Sequence, residues 1–228
     1  MRLPKLDKYD DNIEKEQVEL PELILERKRY NLDNDKERFK FISNIEKLCR
    51  QSLEYKTLID YLKLNKGMDF CSFFHKISKK NFGKTRISVE IHHEPFTLYD
   101  IVAIVIAKRQ AEDLSLDMHE IADEVMRLHY SGRVGLIPLS TTVHQLVHSG
   151  KFFIPLQYLD DGYNKFYQEY YKYIKQMDGI NEMMEAKMRL SKEYADNPDK
   201  FLAVLKKRFI YVVNSNGLDL ILIFISTK

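Results

Sequence analysis

Apolar residues recur in the first half of the chain at the spacing of helices that bury one face. In the segment 39–64 they include Phe41, Ile45 and Leu48, and side chains three or four positions apart share one helix face. This pattern predicts an N-terminal helical region. Residues 1–38 are dense in mixed charge, so we expect part of this arm to be poorly ordered.

Two short segments have the pattern of strands. Val89 and Ile91 alternate with polar residues up to His92 and His93, as in a half-buried strand. The run 134–139 is short and apolar, and Pro138 restricts it to a sheet edge or a strand end. We predict that these two strands belong to one small unit.

Helices are predicted between and after these strands. Thr97 and Asp100 are spaced as a capping box, ahead of an apolar helix over 98–107. A second amphipathic pattern covers 118–128, and a third helix runs through 143–148. The predicted order is therefore strand, helical insertion, strand and helix.

The remainder of the chain is predicted to be helical from about residue 160. Its tyrosines, Tyr163, Tyr167, Tyr170, Tyr171 and Tyr173, favour a packing face over a base-stacking platform. The apolar stretch 220–225 is far shorter than the roughly 20 residues of a membrane span, so it is predicted to be a buried strand or helix end, with no membrane association.

Together these elements predict an α+β fold that is mostly helical. We divide it into an N-terminal helical region (1–85), a strand-strand-helix module (86–151) with a helical insertion (97–131), and a C-terminal helical region (152–228). The hydrophobic content of 44% is sufficient for a sizeable core.

Composition excludes some classes of protein and leaves others open. The 36 basic and 34 acidic residues give a formal charge of +2, which provides no global attraction to nucleic acid. Cys49 and Cys71 are far apart, so neither a disulfide scaffold nor a four-cysteine zinc site is available. The charged N-terminus is unlike a signal peptide, and we expect a cytoplasmic protein, in the host cytoplasm if it is phage-encoded.

Any contact with DNA must therefore come from a local basic patch. The segment 76–86 is the densest positive region near the predicted strands, and it is equally typical of a solvated loop. The candidate phosphate contacts are Lys79, Lys80, Lys84, Arg86 and Arg133.

Four of the seven histidines fall in two tight groups. His144 and His148 are four positions apart on a predicted helix, where side chains stand about 5–6 Å apart at Cβ and can bind one ion. His92 and His93 are neighbours on a predicted strand, so they point to opposite faces. One of these two is expected to be a third metal ligand, and the other is left for proton transfer.

This division of labour suits phosphodiester hydrolysis. A cation polarises the scissile phosphate, while an imidazole takes the proton from the attacking water. Glu90 and Glu94 flank the histidine pair and are candidates for orienting an imidazole, although a solvated carboxylate is the alternative for each.

Three stretches carry a resemblance to a known family: His92-His93, Gly135-Leu136-Ile137-Pro138-Leu139-Ser140 and Val143-His144-Gln145-Leu146-Val147-His148-Ser149-Gly150. They resemble the HNH nucleases, whose motif often reads HH, then NLIPLC, then CHxLIHxG. The colicin-type DNases of that family share the His-His and His-x-x-x-His arrangement. The match covers about residues 86–151. The lengths outside it and the segment 94–97 favour a bacteriophage-encoded member.

The resemblance implies a ββα-metal (HNH) core and an endonuclease that hydrolyses DNA. It implies that His92, His144 and His148 bind a divalent metal and that His93 is the general base. With three imidazole ligands, affinity favours zinc, nickel or another first-row metal such as manganese over magnesium, although the working metal can differ.

The sequence departs from the family pattern at three points. Gly135 stands where the motif has asparagine, which in the family helps to hold the general base. Ser140 and Val143 replace cysteines that often form a zinc knuckle. Fifty residues lie between His93 and His144, more than is usual, and contain the predicted insertion.

Two other functions are therefore kept beside the nuclease. One is a catalytically degenerate HNH-fold protein that acts as a nucleic-acid-binding or phage structural and interaction factor. The other is a purely structural zinc site that holds a helical protein together. The expected partners are DNA and a protein partner or a second copy of the chain.

Overall fold

Eight α-helices and two antiparallel strand pairs are present among residues 30–73, 88–160, 162–212 and 221–224, which this computed structural model describes. The helices are α1 (Asp35–Gln51), α2 (Leu53–Asn65), α3 (Leu98–Ala111), α4 (Met118–Tyr130), α5 (Thr141–His148), α6 (Gly162–Ile174), α7 (Asp178–Asp196) and α8 (Pro198–Arg208). The strands are β1 (Val89–His93), β2 (Leu136–Ser140), β3 (Phe209–Val212) and β4 (Ile221–Phe224). The predicted α+β, mostly helical fold is confirmed.

The larger core lies among the helices before and between the first two strands, and it includes buried side chains of α6 and α7. Helix α1 packs on α3 and α4, and α3 also contacts α6. Helix α3 is buried on almost every side, with Leu98, Val102 and Val105 fully buried. It begins at the predicted capping box, in which the Thr97 side chain and the Asp100 carboxylate each accept a bond from the other's backbone N–H. The insertion between the strands is thus a structural layer of the protein.

Strands β1 and β2 form a two-stranded sheet whose register decides which side chains face which layer. His92 pairs with Ile137 and His93 pairs with Leu136. Since paired residues share a face, His92 lies on the side of Ile137, which belongs to a smaller apolar cluster. His93 lies on the side of Leu136, which belongs to the large helical core.

The smaller cluster fixes helix α5 against the sheet. Val143 and Leu146 of α5 are buried, and they pack with apolar side chains of β2, the following loop and α8: Ile137, Leu139, Phe152, Ile154, Phe201 and Leu205. Burying side chains of this size stabilises the fold by roughly 1.5–3 kcal/mol each. The histidine-bearing face of α5 is thereby held toward β1.

The tyrosine-rich segment forms α6, and its aromatic side chains pack mainly in the core. Phe166, Tyr170 and Tyr173 are buried, whereas Tyr171 is 42% exposed. The rings of Phe166 and Tyr170 are stacked with centroids 4.6 Å apart. This arrangement agrees with the predicted packing face.

Residues 152–228, predicted to be a helical region, also contain a strand pair, and its second strand lies within 220–225, which was predicted to be a strand or a helix end. Phe209–Val212 and Ile221–Phe224 pair as antiparallel strands, because β-branched and aromatic residues favour strands over helices. The expectation of a poorly ordered arm falls mostly on residues 1–29, which lie outside the described residues. None of the described helices has the length and apolarity that crossing a bilayer requires.

Candidate metal centre

Two elements bring three histidines together. His92 is the fourth residue of β1, and His144 and His148 stand one turn apart on α5. Helix α5 follows β2 directly and ends ahead of Gly150, whose φ of +67° is a left-handed conformation that favours glycine. The strand pair and the helix therefore place all three imidazoles on one side of the sheet.

The three rings are arranged as ligands of one ion would be. One ring nitrogen from each histidine lies within 4.8 Å of the others. The Nε2 atoms of His144 and His148 are 3.1 Å apart, while two nitrogens bound tetrahedrally at 2.0–2.1 Å stand about 3.3 Å apart. Within the described ranges this trio is the one group of three or more ligand-type side chains that converge. The predicted ligand set fits a divalent metal.

Both flanking carboxylates contact the imidazoles. Glu90 Oε2 lies 2.9 Å from His144 Nδ1. Because a carboxylate accepts, the Nδ1–H of His144 donates to it, and the Nε2 lone pair is left for a metal. Glu94 Oε2 lies 3.4 Å from His92 Nε2, and its other carboxylate oxygen accepts from Lys187.

The protonation state of the trio also suits metal binding. Burial lowers the pKa of His144 and of His148, and the neighbouring His92 lowers each of them further. Glu90 opposes this by raising the pKa of His144, with a smaller effect. A lowered pKa favours the neutral imidazole, which is the form that binds a metal.

His93 is placed on the opposite face of β1, as strand alternation requires. Its side chain is buried, its Nε2 lies 2.9 Å from His129 Nε2, and its ring stacks on Tyr55. His129 Nδ1 lies 2.7 Å from the carbonyl oxygen of Val125, which can only accept. His129 therefore carries its proton on Nδ1, and its Nε2 accepts from the Nε2–H of His93.

This environment differs from the one predicted for a general base. Burial, together with the nearby His129, holds the pKa of His93 well below its ordinary value, and burial lowers the pKa of His129 to about 4. The structure does not bring His93 to the side of the sheet where His92 faces His144 and His148. A general-base role for His93 would need a different conformation of β1.

Gly135, in the position of the motif asparagine, has no room for a side chain. An added Cβ would lie 2.1 Å from the backbone oxygen of Glu94 and 2.7 Å from Tyr163 Cβ. The backbone is also held here, because Glu94 N–H donates to Gly135 O at 3.1 Å. The packing around β1 therefore leaves no space for an asparagine side chain at position 135.

A cleft of about 1080 Å³ lies beside two of the three histidines, between the N-terminal parts of α1, α3 and α7. His92 and His148 line it, and its wall carries apolar side chains as well as charges. The cationic residues of its lining are Lys36, Arg38 and Lys187, and the anionic ones are Asp35, Glu94, Asp100 and Asp178. This balance does not favour a polyanion.

Arg133, the one predicted phosphate contact among the described residues, does not line this cleft. Arg133 pairs with Glu169 and lines a separate, smaller cleft with Lys108 and Tyr170. The other candidates, Lys79, Lys80, Lys84 and Arg86, lie outside the described residues.

Two residues of this region were not predicted. His129 was not singled out from the sequence, although its position within the buried stripe of α4 indicates the core. Lys187 lies 93 positions from Glu94 in the sequence, and no local pattern connects them.

A strand pair, a following helix and three converging imidazoles define a mostly helical α+β protein with a candidate metal centre. Over residues 3–217 the chain matches the family described as Bacteriophage G278-like virion protein, and it belongs to that family. This supports the predicted bacteriophage origin, and the family description names no nuclease. Comparison with curated proteins and with solved structures gives no significant match.

Proposed function

We propose that this chain is a phage virion protein that holds one divalent metal ion in an HNH-type ββα module and serves as a structural and interaction factor. The observation that carries the proposal is the convergence of His92, His144 and His148 on one side of the β1–β2 sheet. Membership in a virion protein family supports the structural role.

The ligand chemistry favours zinc or nickel over manganese or magnesium, because imidazole nitrogen is a poor ligand for hard cations. The trio supplies three ligands, whereas a closed structural zinc site takes four. A bound ion would leave one position for water or for a donor atom of a partner. Among the described residues, the cleft beside His92 and His148 is where such a partner would approach.

Three observations make the structural role the better supported function. His93 is buried against His129, Gly135 has no space for the motif asparagine, and the cleft has no excess of positive charge. The second candidate is DNA phosphodiester hydrolysis. An incomplete set of protein ligands favours it, since catalytic zinc sites keep a position open for water or substrate.

Metal binding by the full-length chain tests the proposal. After treatment with EDTA, zinc is titrated in competition with a chromophoric chelator, and cobalt(II) is used to record the absorption bands of a low-coordinate site. We expect one ion per chain. In His144→Ala we expect affinity to fall roughly 100-fold or more, because zinc binding energy is shared among few ligands. His119→Ala, an exposed histidine on α4, is the matched control and should bind as the wild type does.

Nuclease assays separate the two candidates. The proposal expects stoichiometric metal with no cleavage of single-stranded or double-stranded DNA in zinc, nickel, manganese or magnesium. Cleavage that is lost in His144→Ala but kept in His119→Ala would establish the second candidate instead. Absence of zinc binding would contradict both. DNA binding, a protein partner or second copy, and the cytoplasmic location stay predictions.

A further inference from the structure

A chain of three side chains connects the metal centre to the C-terminal half of the protein. His92 on β1 contacts Glu94, and Glu94 accepts from Lys187 in the middle of α7. Glu94 is 3% exposed, and the Lys187 side chain is 20% exposed, so this connection runs largely through the protein interior.

We propose that Lys187 is a positioning residue for the metal centre, so that ion binding and the packing of α7 against the β1 region stabilise each other. This inference rests on the proposed metal site. It adds a role for α7, which contributes none of the three ligands.

The physical argument begins with the buried carboxylate. A buried charge is costly unless it is paired, and Lys187 supplies the cation for Glu94. Lys187 holds the carboxylate in place against His92, 3.4 Å from its Nε2, where the carboxylate limits the rotation of the ring. Groups that orient a ligating imidazole in this way typically change metal affinity 10–100-fold.

The same contacts act in the opposite direction. If the packing of α7 against the β1 region increases ion affinity through Lys187, the bound ion must favour that packing by the same factor in the equilibrium constant. Helix α7 makes further contacts with α6, α8 and the short helix Leu156–Tyr158, so it remains part of the fold when Lys187 is changed. The coupling is therefore measurable in the folded protein.

The first experiment compares zinc affinities of full-length variants. Lys187→Met, which removes the cation, is expected to bind zinc 10–100-fold more weakly and to shift the cobalt(II) absorption bands. Lys187→Arg, which keeps the cation, should recover most of the affinity. Lys192→Met removes an exposed lysine from the same helix and should leave affinity unchanged.

The second experiment uses the wild type alone. Hydrogen exchange is followed with and without saturating zinc. Slower exchange in α7 as well as in α5 supports the coupling, whereas protection confined to α5 overturns it. Equal zinc affinity in the wild type and Lys187→Met also overturns it. If the wild type binds no zinc at all, the proposed function itself fails, so the two failures are distinguishable.

Discussion

His92 and His93 are neighbours in one strand, yet their surroundings have little in common. His92 faces His144 and His148, with a carboxylate 3.4 Å from its Nε2. His93 faces the helical core, where it donates to His129 and stacks on Tyr55. Two identical side chains therefore have different chemistry because of what packs on each face of the sheet.

A histidine pair does not by itself define a ligand and a base. The His92 side has partly exposed rings and charged partners, so an ion and a solvent molecule can reach it. The His93 side keeps its imidazoles neutral through burial. We interpret the first face as a binding site and the second as a buried polar contact of the core.

The largest expected effect concerns the buried face. His129→Ala removes a core ring and leaves the Nε2–H of His93 without its acceptor, so we expect a loss of about 4 kcal/mol in the free energy of unfolding. Urea denaturation measures this loss. His119→Ala, on the exposed side of α4, should change stability by less than about 0.5 kcal/mol.

Zinc affinity of the same variants tests whether the two faces of the sheet are separate. Since His129 lies on the other face of the sheet, His129→Ala should bind zinc as tightly as the wild type under conditions where it is folded. A loss of affinity comparable to that of His144→Ala would show that the two faces act as one site.

The next effect tests whether the family motif can be restored. Gly135→Asn places a side chain against the Glu94 backbone and Tyr163, and we expect destabilisation of about 3 kcal/mol from overpacking. Gly179→Ala on α7 is the control, because an added Cβ there meets nothing within 4 Å. Thermal unfolding compares the two. A Gly135→Asn protein as stable as Gly179→Ala would contradict the predicted overpacking.

The sequence predicted the local parts of this site well. Strand alternation separated His92 from His93, helical spacing joined His144 to His148, and both predictions depend only on backbone periodicity. The sequence did not predict which of the two strand faces would be open to solvent. That depends on how α1, α3 and α4 pack, and on long-range partners such as His129 and Lys187.

The resemblance to a nuclease motif was limited in the same way. It assigned the three ligands, which the structure brings together, and it assigned His93 a role that requires open space. A motif records residue types in order, whereas the room around Gly135 and His93 is set by side chains from distant segments. The helical insertion 97–131 supplies one of these, His129.

A pH titration of stability provides an independent test of the buried pair. His129 has a folded-state pKa of about 4, below the value near 6.5 expected in the unfolded chain. As the pH falls, the unfolded chain therefore takes up protons first. The contribution of His129 is complete above pH 6.5, and it decreases between pH 6.5 and 4 by about 1.4 kcal/mol per pH unit.

His93 adds to this trend in the same direction, because its pKa is also lowered by burial. The variant His129→Gln keeps a polar group of similar size but does not titrate. With EDTA present, the stability of this variant should decline less steeply over the same pH range, because about one proton fewer is taken up on unfolding. Parallel pH profiles for the two proteins would mean that the pair is not neutral in the folded state.

The smallest expected effect lies on the binding face, at Glu90. Glu90→Gln can still accept a hydrogen bond from His144 Nδ1, but it removes the negative charge that raises the basicity of that ring. The Glu90 side chain is 42% exposed, so solvent screens much of its charge, and we expect zinc affinity to fall only about tenfold. Glu182→Gln, exposed on α7, is the control for loss of a carboxylate.

If Glu90→Gln weakens zinc binding while the unfolding of the metal-free protein is unchanged, the carboxylate acts on the ligand rather than on the fold. Equal affinity in both variants would reduce Glu90 to a solvated surface group and leave Glu94 as the carboxylate that supports the trio.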